Sequence, residues 1–350
     1  MAERIRAAVV GLRMGAQHAR CYAQLTDLYE LVGLCDIDAG TLAELGGALA
    51  CTALYADYAQ MLRETKPELV CVATSDHLHL PMVLAAVDAG AKCVYCEKPI
   101  APSLGDVHTM RKACKDAGVL LIIGHQRRMS STYRTIRQLL DDGAIGEVRE
   151  YHASLGGDIL CDGTHTVDSI LFLQHDRPVQ WVLGQIYRGR KATAEELQKN
   201  RFLYHGTRYG HSVEEGAMAA FCFEDGVRAR IFSGTMMLPH HGYQDIEIIG
   251  SKGRIRRAGD GAEPAVQIDD GSGWRDAGAI NAYGEWEAHK TVAEALRKGT
   301  PHPMDIDTAI KGYELIIGIL ESARLCQRLE LPVTQLENPI DILLREGAMV

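Results

Sequence analysis

The sequence lacks any apolar run near the roughly 20 residues that a membrane-spanning helix requires. Residues 1–10 reach a glycine after one short apolar stretch, with no h-region and no cleavage site of a secretory leader. These two absences lead us to expect a cytoplasmic protein without membrane association. Excess positive charge is missing as well. The formal net charge is −9, and basic residues fall in short groups such as Arg188, Arg190 and Lys191, or Arg254, Arg256 and Arg257, which read as solvated faces. That balance argues against nucleic-acid partners and acidic membrane surfaces. Internal repeats and low-complexity tracts are absent. So is metal-ligand spacing. Cys93 and Cys96 sit three apart in a strand, where such residues face opposite ways, and His165 with Asp168 has no further ligand at fixed spacing. No metal is expected.

What is present fits a soluble globular chain. Its 350 residues allow two domains with separate cores, and 47% apolar with 24% charged residues is an ordinary balance. Ten cysteines fall mostly inside apolar segments, as buried reduced thiols do. The acidic pairs Asp141-Asp142 and Glu214-Glu215 are adjacent in sequence and read as solvated.

Strand patterns at 5–10, 31–35, 69–73, 91–96 and 119–123 alternate with helical patterns at 16–25, 39–49, 57–65, 79–89 and 103–117. That alternation calls for a doubly wound parallel sheet. After Gly124 the rhythm changes to a helix at 131–142 and strands at 147–155, 179–187, 216–223, 226–233, 244–249 and 253–257. Helices follow at 284–298 and 305–328. Glu224-Asp225-Gly226 between two alternating runs marks a hairpin of an antiparallel sheet. The fold expected is α/β, with a Rossmann domain over 1–123 and a second α/β domain over 124–350. Residues 188–212 are long and polar, a lid or interface arm.

Three stretches carry chemistry. Gly11-Leu12-Arg13-Met14-Gly15 follows the first strand, where a glycine turn lets backbone approach a pyrophosphate at a helix N-terminus. Arg13 stands where a glycine is usual. Asp36 ends the second strand and can accept both ribose hydroxyls, which favours NAD over NADP, although Arg13 leaves NADP open. Lys98, in Cys96-Glu97-Lys98-Pro99, lies at the carboxyl end of a central strand, where α/β sheets bind ligands. Further on, Asp162 or Thr164 caps a helix that carries His165 in its first turn. Oxidising a secondary alcohol needs a base for the hydroxyl proton and a group that stabilises the developing alkoxide; a histidine and a lysine meet that need.

On these residues the chain resembles the glucose–fructose oxidoreductase / inositol dehydrogenase / rhizopine catabolism (Gfo/Idh/MocA) family. The opening glycine turn with His18 is similar to the family's. Thr74-Ser75-Asp76-His77-Leu78-His79 is similar to its segment after the fourth strand, and Glu97-Lys98-Pro99 to its most specific motif. Gly124-His125-Gln126-Arg127-Arg128 and Gly163-Thr164-His165-x-x-Asp168 resemble the opening of its second domain and its catalytic helix. The resemblance implies a second domain with a large open, mainly antiparallel sheet that joins subunits, as a homodimer or homotetramer. It implies reversible NAD(P)-linked oxidation of a sugar, cyclitol or glycoside hydroxyl. Lys98 and His165 are then the catalytic pair. Gly11, Leu12, Arg13, Met14, Asp36, Thr74, Ser75, His79, Glu97 and Lys98 line the cofactor. Arg127, Asp168, His240, His241 and Tyr243 face the substrate. Cys161 stands where many members carry an aspartate, and Asp162 beside it is expected to act in its place. Two other functions remain: an NAD-assisted glycosidase that oxidises C3 transiently and eliminates, and a non-catalytic NAD-binding regulator.

Overall fold

The structure, a computed structural model, describes residues 3–188, 206–280 and 282–347. Five segments rich in branched apolar residues form the successive strands of the first sheet: β1 (Ile5–Val10), β2 (Tyr29–Cys35), β4 (Leu69–Val72), β5 (Cys93–Cys96) and β6 (Leu120–Ile123). A two-residue β3 (Leu54–Tyr55), without a pattern to betray it, joins the edge. All pair in parallel in the order β3-β2-β1-β4-β5-β6. β4 and β5 are buried at every residue, because helices cover both faces of such a sheet.

The helices between these strands are α1 (Gly15–Gln24), α2 (Ala39–Leu49), α3 (Tyr58–Thr65), α4 (His79–Asp88) and α5 (Leu104–Asp116). Asp38, Asp57 and Ser103 each accept a main-chain N–H at the start of α2, α3 and α5, contacts that contribute about 1 kcal/mol apiece. By contact the first compact unit comprises Met1–Gln126 and Gly284–Ala309. A helix late in the chain, α8 (Glu285–Lys298), thus belongs with the first unit, which a single division at 123/124 does not include.

The second unit comprises Arg127–Tyr283 and Ile310–Val350. Its sheet has nine strands, in the order β16-β15-β14-β13-β7-β12-β11-β8-β17. They are β7 (Val148–Leu155), β8 (Val179–Tyr187), β11 (Gly216–Phe223), β12 (Arg228–Ser233), β13 (Asp245–Gly250), β14 (Arg254–Arg257), β15 (Val266–Asp269), β16 (Arg275–Asp276) and β17 (Leu329–Glu330). Every pairing is antiparallel except β7 with β12. Alternation along β12 buries Ala229, Ile231 and Ser233 and exposes Arg228 and Arg230, as a sheet covered on one face requires. α6 (Ser131–Asp141) and α7 (Gly163–Leu173) belong to this unit, and α7 is buried along nearly its whole length. Of the polar segment 188–212, residues 189–205 lie outside the described residues, and with them the expected lid or arm and Arg190 and Lys191. Its far end forms the small hairpin β9 (Thr207–Arg208) and β10 (His211–Ser212). Nine of the ten cysteines are buried and all are free thiols.

Candidate active site

In the first unit the carboxyl ends of β1, β2, β4 and β5 carry the expected nucleotide residues, at the point where strand order reverses between β1 and β4. β1 runs into Gly11, whose φ is +84°. A Cβ there would lie 2.6 Å from the Ala73 carbonyl oxygen and 2.8 Å from the Thr74 nitrogen. Backbone packs on backbone, so the position requires glycine. The Leu12 N–H donates to Asp36 Oδ2 at 2.6 Å, and the Asp38 N–H to Oδ1 at 2.9 Å. These bonds aim the carboxylate from the end of β2 at the turn. Leu12 is buried, Arg13 and Met14 are exposed, and no side chain caps α1.

Thr74 and Ser75 are half-buried after β4. His79 is enclosed, with its ring nitrogens 3.0 Å from the Ile100 carbonyl and 3.1 Å from that of Thr74. Burial lowers its pKa, and a neutral ring donates to only one of the two. Its place is against main chain. Glu97 is likewise buried. Its Oε1 lies 2.9 Å from His18 Nε2, and His18 Nδ1 lies 2.9 Å from His289 Nε2 on α8. Burial pushes the Glu97 carboxyl up, but the bond and charge of His18, with Lys98 beside it, outweigh that and hold it below the usual range. Gly124 leaves the necessary room, since a Cβ there would meet Glu97 Oε1 at 2.7 Å. His289 is held well below its ordinary pKa by burial and by His18. Lys98 is half-buried at the end of β5 and joined to Pro99 by a cis peptide bond.

The second unit holds the other expected residues. His165, the third residue of α7, is 7% exposed. Asp162 occupies the cap position of α7, yet its side chain makes no capping bond. The Arg208 guanidinium and the Tyr243 hydroxyl, which donates to Oδ1 at 3.0 Å, draw the carboxylate away. Gly157, at φ +83°, makes this possible, because a Cβ there would overlap Asp162 Oδ2 at 1.9 Å. Gln244, which sequence reasoning missed, ties the start of α7: its Nε2 donates to the Asp162 carbonyl at 2.8 Å, and its Oε1 accepts from the Thr166 hydroxyl. Only its positive φ of 64° marks it as unusual, and no sequence pattern announces that.

Other expected residues are tied into side-chain pairs or lie apart from this cluster. Arg127 is 6% exposed and its guanidinium forms two bonds with Asp260, at 2.9 and 2.7 Å. Asp168 is 2% exposed, and both its oxygens accept from Arg128 Nε at 2.9 Å. Arg128 also bonds Asp176. Tyr243 reaches Asp162, whereas His240 is exposed and His241 lines a cleft with Glu247, Arg254, Arg256, Gln267 and Trp274. The basic group on β14 is not wholly solvated: Arg257 is 3% exposed and bonds the Gln244 carbonyl at 2.6 Å. Glu214 is 1% exposed rather than solvated. Its Oε1 accepts the Ile159 N–H at 2.6 Å, and burial, with the Asp158 charge, pushes the carboxyl up to about 8.

The 3-2-1-4-5-6 parallel sheet, the glycine turn and the acidic end of β2 define a dinucleotide-binding Rossmann fold. The Gfo/Idh/MocA model described as "Oxidoreductase family, NAD-binding Rossmann fold" matches residues 5–125, and that of the GFO/IDH/MocA C-terminal domain matches 133–256. Together these span more than half of the chain, which belongs to the Gfo/Idh/MocA family and is an NAD(P)-dependent oxidoreductase. The chain is 25% identical over 334 residues to inositol 2-dehydrogenase 3 of Saccharopolyspora erythraea, covering 86% of this chain and 95% of the relative. It is 26% identical over 319 residues to myo-inositol 2-dehydrogenase of Thermotoga maritima, covering 85% and 90%. The WlbA dehydrogenase of Bordetella pertussis, solved with NADH and UDP-GlcNAcA, has the same fold: TM-score 0.76, 23% identity, 95% and 100% of the two chains covered. Among the described residues no helix is long and apolar enough to cross a membrane.

Proposed function

We propose that the chain oxidises a secondary hydroxyl of a polyhydroxylated ring, a sugar, cyclitol or glycoside, reversibly and with NAD. The observation that carries this reading is Lys98 at the carboxyl end of β5, in the same row of strand ends as Gly11, Asp36 and Thr74. The first unit binds the cofactor and the second the substrate. The first fits a dinucleotide: the Gly11 turn closes on main chain, α1 opens without a capping side chain, and Asp36 stands at the end of β2. When bound, NAD supplies the hydride acceptor.

Leu12, Arg13 and Met14 flank the pyrophosphate, Asp36 accepts the ribose hydroxyls, and Thr74, Ser75 and His79 shape the wall beyond β4. Glu97, held ionised by His18, fixes the strand end from which Lys98 projects. Lys98 stabilises the developing alkoxide and His165 accepts the hydroxyl proton. Asp162 and Tyr243 contact or orient the substrate from the start of α7, whereas Asp168 and Arg127, paired with Arg128 and Asp260, hold the scaffold. The relatives named inositol 2-dehydrogenases support a cyclitol or sugar ring.

The test is a panel of inositols, sugars and glycosides, followed by absorbance of the reduced nicotinamide with NAD and NADP in parallel. Oxidation of at least one polyol ring, with NAD preferred, is expected. Release of an aglycone without accumulation of NADH assigns the elimination chemistry instead, and tight NAD binding without any turnover assigns a regulator. Lys98→Ala lowers turnover by roughly 10²–10⁴-fold while cofactor affinity is kept; unchanged turnover removes Lys98 from the mechanism.

The face of the second sheet that exposes Leu183, Tyr187 and Met218 is the surface proposed to join two or four copies. Sedimentation of Met218→Glu as a smaller species than the parent protein checks this.

A further inference from the structure

We propose that Asp158, Cys161 and His211 hold a divalent transition-metal ion of the zinc class in the second unit. The three residues are 1%, 0% and 4% exposed. One ligand atom from each lies within 4.8 Å of the other two. Cys161 Sγ and His211 Nε2 are 3.5 Å apart. A tetrahedral ion with bonds of about 2.3 Å to sulfur and 2.0 Å to nitrogen spans an edge of about 3.5 Å. The pair is therefore already at ligating separation.

A second observation points to the same place. Glu214 Oε2 is buried and has no hydrogen-bond partner among the described residues. The residue's other oxygen accepts the N–H of Ile159, the residue next to Asp158 in sequence. A buried carboxyl oxygen left without a partner costs free energy unless something supplies the missing contact. Charge leads the same way. Arg208 pairs with both Asp158 and Asp162, so among the described residues one guanidinium serves two buried aspartates. A divalent cation corrects that imbalance.

The donor set selects the ion. Thiolate, imidazole and one carboxylate suit zinc or cobalt, whereas magnesium and calcium take oxygen ligands. Three protein ligands leave a fourth position for water. Binding displaces the Cys161 thiol proton to solvent, so no further reactant is needed. The expectation that the chain binds no metal came from spacing alone. Asp158 and Cys161 are close in sequence, but His211 is supplied by β10, a two-residue strand with no pattern of its own. The inference is independent of the dehydrogenase reading, and its test uses no turnover.

The full-length protein, stripped with a chelator, is titrated with Co²⁺ alone. One equivalent is expected to give a thiolate-to-cobalt charge-transfer band that Zn²⁺ abolishes and Mg²⁺ leaves intact. Cys161→Ser loses the band, while Cys326→Ser, which removes the exposed thiol, keeps it. His211→Ala weakens Co²⁺ binding at least about tenfold, the lower end of what even outer-shell partners contribute. Should Cys161→Ser fail to fold, the parent protein decides: Zn²⁺ raises its Tm and an equal concentration of Mg²⁺ does not. A missing band, a band that survives Cys161→Ser, or a Tm indifferent to Zn²⁺ overturns the proposal.

Discussion

The two units solve the same problem, placing polar groups inside a packed protein, by different means. In the first, main chain does most of the placing, the buried Glu97–His18–His289 chain excepted. Asp36 is aimed by the Leu12 and Asp38 N–H groups, Gly11 closes on the Ala73 carbonyl, and His79 lies between two carbonyls. In the second, side chains place one another. Asp162 is set by Arg208 and Tyr243, Asp168 by Arg128, Arg127 by Asp260, and the start of α7 by Gln244. A site built on strand ends tolerates the loss of a side chain better than one built as a network, because a network member that goes leaves its partner buried and unpaired.

The sharpest way to break that contrast is Arg128→Leu. It leaves the Asp168 carboxylate buried without its guanidinium, and removing one partner of such a pair costs about 3–5 kcal/mol. Urea unfolding measures it. A cost under about 1 kcal/mol would show that the network is not what holds α7.

Gly11→Ala tests the main-chain side. The φ of +84° and the 2.6 Å approach to Ala73 strain any Cβ, by about 1–3 kcal/mol, and the turn must shift. NADH fluorescence titration should show affinity lowered by on the order of tenfold. Affinity equal to the parent's means the turn does not touch the cofactor.

The smallest effect concerns pH. Glu97 in the folded protein sits below its ordinary value of 4.5, so its contribution is present above that pH and lost as pH falls through the lowered value. Glu97→Gln, which cannot ionise, flattens the acid limb of Tm against pH below 4.5. An identical acid limb in both proteins contradicts a stabilising Glu97–His18 pair.

Much of the first unit was legible because its signals are local. Apolar runs of four to six residues marked the strands, and the glycine turn, Asp36 and Lys98 follow from where strands end. What was missed there is non-local. His18 was seen as part of a motif, but its partner His289 arrives on α8, from the far end of the chain. In the second unit the long strands were readable from alternation, while β15, β16 and β17 were too short or too polar to mark themselves. Glu214 and Arg257 look like surface charges in sequence because burial is a property of neighbours. Asp162 had the residue type of a helix cap, and a guanidinium competed for it successfully.

The alternation of strands and helices, the nucleotide turn and family membership were therefore written in the chain itself, since each depends on residues close together or on a repeating pattern. Which carboxylates are paired, which histidine meets which cysteine and which arginine is buried were decided only when distant segments packed. Those outcomes depend on distances between side chains far apart in sequence, and periodicity carries no record of them.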